Sequence, residues 1–165
     1  MDARFADPVP VVWTADHGVH IEYPLGSRLL PRTGANAIRI SPRVSWSIDV
    51  HGGADHLTAD TTGVDVRSLA VHAAAAHTRL TLGHPAGSCT IRLTSVTDLH
   101  IRRPAHVPVR IEVAKGATKV ALDDRRFGAV GGGLAEQTPG YATTNARYLL
   151  VVSGGADALT VERVE

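Results

Sequence analysis

The sequence predicts an all-β fold, and within that class a short β-solenoid-like repeat of about 21 residues per turn and five to six turns. Three observations carry this reading. First, apolar residues alternate with polar ones, as in Val64 and Val66, Cys89 and Ile91, and Val107, Val109, Ile111 and Val113. A period of two places one face of a strand in a core, and no window of helical periodicity competes with it. Second, the alternation recurs. Leu57, Thr78, Leu99 and Val120 are each 21 residues apart, and so are Ala59, Leu80, Ile101 and Leu122. Third, a small corner precedes each run: Gly34-Ala35, Gly53-Ala54, Gly116-Ala117 and Gly155-Ala156. Stacked rungs explain such corners, because a small residue lets the backbone turn tightly and glycine takes positive φ without steric cost. An antiparallel β-sandwich built from hairpins is the alternative architecture.

Taken in order, residues 1–30 read as an N-terminal lead-in or cap. Val9, Val11 and Trp13, then Val19 and Ile21, alternate around a turn at Asp16-His17-Gly18. Trp13 and Trp46 suit the core or the covering of a terminal rung. The repeats occupy 34–122 and 148–163, within one domain spanning 1–165. The third copy runs one position late, at Ile91 and Leu93, which predicts a one-residue bulge near Ser95. Ala73 to Ala76 favours a helix on propensity alone, but it occupies the corner of the repeat and is read as strand. Residues 123–147 interrupt the period with Gly131-Gly132-Gly133 and Pro139-Gly140, an insertion loop. The last copy follows it at Leu159 and Val161.

Composition narrows function by exclusion. Lys and Arg number 17 against 16 Asp and Glu, for a net charge of +1, which gives no reason to expect nucleic acid. No apolar run reaches the roughly 18 residues of a membrane span. No apolar signal core follows Met1, and the lone Cys89 allows no internal disulfide, so a cytoplasmic location is expected. Cys89 alternates with Ile91 and Leu93 and reads as a small core residue. Gly131-Gly132-Gly133 lacks the Lys-Ser/Thr of a phosphate loop, and no Gly-x-Ser-x-Gly elbow occurs.

The Gly-Gly-Ala corners at Gly52 and Gly154, with Phe127-Gly128 and Pro139-Gly140-Tyr141, resemble bacterial toast-rack or adhesin-like domains, in particular actinobacterial Gly-Gly-Ala repeat proteins of unknown function. The resemblance spans residues 44–163. It implies an all-β repeat fold and an interaction role. Copies two and three depart from the pattern, with Ala73-Ala74-Ala75 and Ser95-Val96-Thr97 at the corner.

Two constellations are candidate sites. Loops on a rigid scaffold tend to carry function, so the insertion offers Asp123, Asp124, Arg125, Arg126, Phe127 and Tyr141 as a contact surface for a protein partner. Histidines form the second. His51 and His72 are 21 apart, as are His56 and His77, with Asp98 and Lys119 continuing the second column. Imidazoles on adjacent rungs, with Asp98 as an oxygen ligand, suit Zn²⁺. Duplication of outward polar positions explains the same columns without a ligand. The expected function is therefore a non-enzymatic binding or scaffold domain with no cofactor. The alternative is a metal-binding or polysaccharide-acting enzyme on the lateral face, using the His columns and Asp98. Self-association through end rungs is a further expectation, since unpaired strand edges invite pairing.

Overall fold

A computed structural model describes residues 1–23 and 34–165. Of the lead-in, residues 24–30 lie outside the described residues. Every regular element among the described residues is a β-strand, and none is a helix long and apolar enough to cross a membrane. The chain divides into two compact units, Met1–Ser41 and Pro42–Glu165.

The first unit holds four short strands: β1 (Asp2–Arg4), β2 (Val11–Ala15), β3 (Gly18–Glu22) and β4 (Ala37–Arg39). β2 and β3 form the antiparallel hairpin that the alternation predicts, turning at Asp16 and His17, both with φ near the left-handed region at 50° and 62°. Val11, Val12 and Trp13 remain exposed on it, and Trp13 stacks on His20 at 5.3 Å. Trp13 is thus not a core residue of this unit. β4 is the strand that follows the first Gly-Ala corner, Gly34-Ala35. It pairs antiparallel with β1 instead of joining the later copies, and all three of its residues are exposed.

The second unit is one 12-stranded sheet that curls into a half-barrel. Its strands are β5 (Trp46–Val50), β6 (Ala54–Asp55), β7 (Thr58–Asp60), β8 (Val66–Thr81), β9 (Ser88–Pro104), β10 (Val109–Val113), β11 (Ala117–Thr118), β12 (Val120–Leu122), β13 (Arg125–Phe127), β14 (Leu134–Gln137), β15 (Arg147–Val152) and β16 (Ala156–Val164). Ala73 to Ala76 lies inside β8, so tertiary packing overrides its helical propensity. Most neighbours pair in parallel. Their registers thread apolar ladders through five layers: Ile48, Leu69, Ile91, Leu150 and Ile111 on one side of the corner, and Ala59, Leu80, Ile101, Val161 and Leu122 on the other. From the second layer on, all eight ladder side chains are buried: Leu69 at 6% exposure and the other seven at 0–1%. Each such side chain contributes roughly 1.5–3 kcal/mol by leaving water.

The order of the layers differs from the order of the chain. The sequence places the copy at Leu159 and Val161 after the copy at Val120 and Leu122. In the structure β15 and β16 lie between β9 on one side and β10, β11 and β12 on the other. The insertion supplies the two terminal strands instead. β13 pairs antiparallel with β12, and β14 pairs antiparallel with β10. The chain leaving β9 must therefore step across one strand position before β10, about 9.6 Å instead of 4.8 Å. Residues 105–108 make this step. The Ala105 N–H donates to the Val164 carbonyl at 2.9 Å, and the Tyr148 N–H donates to the Pro108 carbonyl at 2.9 Å.

The irregularity expected near Ser95 falls at that corner, with its extra residue on the facing strands. Val71 pairs with Leu93 but Ala74 with Ser95, so His72 and Ala73 together face Thr94. On the other side Val152 pairs with Leu93 and Ala156 with Val96. The third layer has the shorter corner, and its neighbours bulge around it.

Candidate functional site

The site residues are placed by one backbone feature. His56, His77, Asp98, Ala158 and Lys119 all have φ between 48° and 55°. They stand in register across five neighbouring segments of the curled sheet. This corrects the role expected of the glycines. Among the corner glycines, only Gly34 and Gly116 have positive φ. Gly154 is small for another reason: a Cβ there would lie 2.5 Å from the Thr94 carbonyl oxygen, which accepts the Gly154 N–H. Gly52 has open space around it. His and Asp suit the left-handed region better than most residues, which accounts for part of the column's composition.

The shared conformation aims equivalent side chains the same way. The His56 and His77 rings stack with centroids 4.7 Å apart, and those of His51 and His72 at 4.8 Å and within 6° of parallel. The stacking follows the spacing: His72 and His77 lie within β8, and His51 and His56 lie beside it in the breaks on either side of β6. Their carboxylate partners were not visible in the spacing. His77 Nδ1 lies 3.0 Å from Asp55 Oδ1, and His56 Nδ1 lies 3.1 Å from the same oxygen. A carboxylate oxygen only accepts, so the His77 nitrogen facing it carries a hydrogen. This hydrogen bond, with the nearby His56, holds the Asp55 carboxyl below its ordinary range. In the other column His72 Nε2 faces Asp49 Oδ1 at 3.1 Å.

Asp98 follows His77 in the column, as the spacing predicts, but is engaged by another partner. Its carboxylate accepts from Arg79 Nη2 at 3.1 Å, which is the main cause of its lowered pKa. Among the described residues, the one group of three potential ligands with converging atoms is Asp55, His56 and His77, whose donor atoms lie within 4.8 Å of one another. Asp55 immediately precedes the left-handed His56, and a search for carboxylates next to His would have found it. A third stack, His84 on His106 at 5.2 Å, escaped the periodic search because its spacing is 22.

The insertion residues are engaged within the fold. Arg103 is 1% exposed, and its Nη2 donates to Asp123 Oδ2 at 2.5 Å. Its Nη1 donates to the carbonyls of Pro104 at 3.1 Å and Val107 at 2.7 Å. One guanidinium thus ties the step between β9 and β10 to the start of the insertion. Burial lowers the Arg103 pKa, and the charge of Asp123 opposes that. Asp124 meets Arg163 at 2.7 Å. Arg125 pairs with Glu136 at 2.8 Å and lies over the Phe127 ring, while Arg126 donates to the Asp123 carbonyl. Tyr141 lies under the Arg147 guanidinium at 5.1 Å. Cys89 is 3% exposed, and burial pushes its thiol up to about 11. A thiol held neutral in a core is a poor nucleophile.

Comparison with family models, curated proteins and solved structures finds no match.

Proposed function

We propose that the chain is a non-enzymatic binding or scaffold domain: a β-solenoid-like, toast-rack-like stack that takes a protein partner. The observation that carries this reading is the difference between the two ends of the sheet. At the far end, the edge strands are β13 and β14, only three and four residues long and paired antiparallel with β12 and β10. At the near end, β5, β6 and β7 pair only with β8, and no described strand pairs with their outer edge. A sheet edge is a surface to which an extended segment adds as a further strand. Ile48, Val50, Leu57 and Ala59 on these strands are only partly buried, so an added layer would complete their burial. The six insertion residues lie toward the far end, where Asp123, Asp124 and Arg125 pair with Arg103, Arg163 and Glu136, and form the second candidate contact surface.

A photo-crosslinking residue introduced at Ser47 or Thr58, both exposed, tests the reading in cells. Adducts with a protein from these positions, and none from Arg126, are expected. Adducts from Arg126 alone would move the contact to the insertion, and absence of adducts from all three would overturn the reading. The mass of the adduct separates a second copy of this chain from another protein.

A further inference from the structure

We propose that Asp55, His56 and His77 form a site for a divalent transition-metal ion of the Zn²⁺, Ni²⁺ or Cu²⁺ class. The argument rests on how the three side chains are placed. His56 and His77 occupy equivalent left-handed corners, with φ of 55° and 48°, on adjacent layers. Their rings therefore leave the sheet in parallel, with centroids 4.7 Å apart. Asp55 Oδ1 stands 3.1 Å from one Nδ1 and 3.0 Å from the other. Two imidazole nitrogens and one carboxylate oxygen thus converge, all within 4.8 Å.

A metal bonded at about 2.0–2.2 Å to N and O ligands holds its donors roughly 3.3 Å apart. Both nitrogen–oxygen separations are already near that value. Only the two nitrogens must approach, and the side chains that carry them are 75% and 52% exposed and free to turn. The ion would take the Nδ1 position of each ring, the hydrogen of a neutral ring then residing on Nε2, and a protonated ring must give up one proton to bind, so binding weakens in acid. Imidazole and carboxylate together select borderline cations over Ca²⁺ and Mg²⁺, which prefer all-oxygen sets. A three-ligand set leaves a coordination position for water or for a group from a partner. The other histidine pair lacks this convergence, because Asp49 faces only His72. Asp98 is held by Arg79. Asp55 lies on β6, one of the strands of the near edge, but the metal site uses side chains and the edge reading uses the backbone, so either can fail alone.

Titration of the full chain with Zn²⁺ and with Ni²⁺, followed by calorimetry and by histidine ring NMR signals, tests it. One ion per chain is expected, with shifts confined to His56 and His77. His56→Asn and His77→Asn remove the imidazole while keeping a residue that tolerates the left-handed corner. Each, and Asp55→Asn, is expected to weaken binding at least tenfold without changing the melting temperature of the metal-free protein by more than a few degrees. His72→Ala and Asp98→Asn are expected to leave affinity unchanged. Absence of saturable binding at millimolar metal would overturn the proposal, as would loss of binding that follows His72 or Asp98 instead.

Discussion

At the scale of single residues, the corners separate two kinds of constraint that look alike in sequence. Gly154 is fixed by proximity, since a methyl group would meet the Thr94 carbonyl oxygen at 2.5 Å, backbone that cannot turn aside. Gly154→Ala is expected to destabilise the fold by about 2–3 kcal/mol in urea titration, a typical cost of overpacking. Gly52→Ala, with nothing within 4 Å, is expected to change stability by less than about 0.5 kcal/mol. Ala158 is the reverse case. It holds φ of 51°, a region that costs an L-residue roughly 1–2 kcal/mol. Ala158→Gly should stabilise the protein by about 1 kcal/mol in the same titration, despite the usual entropic cost of glycine. Cys89 adds a pH dependence. Its folded pKa, about 11, lies above the ordinary 9.0. The unfolded chain therefore loses this proton first as pH rises. The stability that the neutral thiol contributes is complete below pH 9.0 and is lost between there and about 11. Cys89→Ala should flatten that loss in unfolding curves taken from pH 8 to 11, at the expense of a small cavity.

At the scale of elements, the buried pair of Arg103 and Asp123 holds the step out of β9. Removing one partner of a buried pair strands the other charge, at about 3–5 kcal/mol. Asp123→Ala is expected to fall in that range, and Arg103→Met combined with Asp123→Ala to recover part of it in a double-mutant cycle. Equal losses in the single and double variants would show that the packing of the step, not the charge, sets the cost. These elements also show how far the sequence was legible. Strand positions, the inward columns and the His pairs follow from a period of two inside a period of 21, because parallel in-register stacking repeats the same environment on each layer. The left-handed column was not legible, since His56 and His77 read as surface polar positions until their φ is known. Nor was the place of 123–147 in supplying the terminal strands. Gly131 and Pro139 mark turns correctly, but the strands β13 and β14 are three and four residues long, too short for alternation to register. The partner of Arg103 was hidden for a related reason. A charged residue in an inward column contradicts the pattern, and only the step at 105–108 supplies the carbonyls that satisfy it.

At the scale of the whole second unit, the decisive feature is that β15 and β16 sit between strands made earlier in the chain. In a stack built in chain order, loss of the last layer exposes one edge and leaves the others intact. Here it would empty a slot between β9 and the pair of strands beginning with β10, and would remove Leu150, Val152, Leu159 and Val161, each 0% exposed, from the middle of the core. At roughly 1.5–3 kcal/mol for each of these four side chains, the loss is about 6–12 kcal/mol, comparable to the whole 5–15 kcal/mol by which domains are ordinarily stable. A chain ending at residue 146 is therefore expected to show no cooperative thermal transition and to bind a dye specific for exposed apolar surface. Co-expression with a separate segment of residues 147–165 should restore both the transition and a soluble complex of the two pieces, because the slot is bounded by parallel strands whose registers specify the insert. A truncated chain that melts near the temperature of the full one would show that β9 and β10 close on each other directly. The strand order would then have alternatives, and the ladder through five layers would be one packing of several.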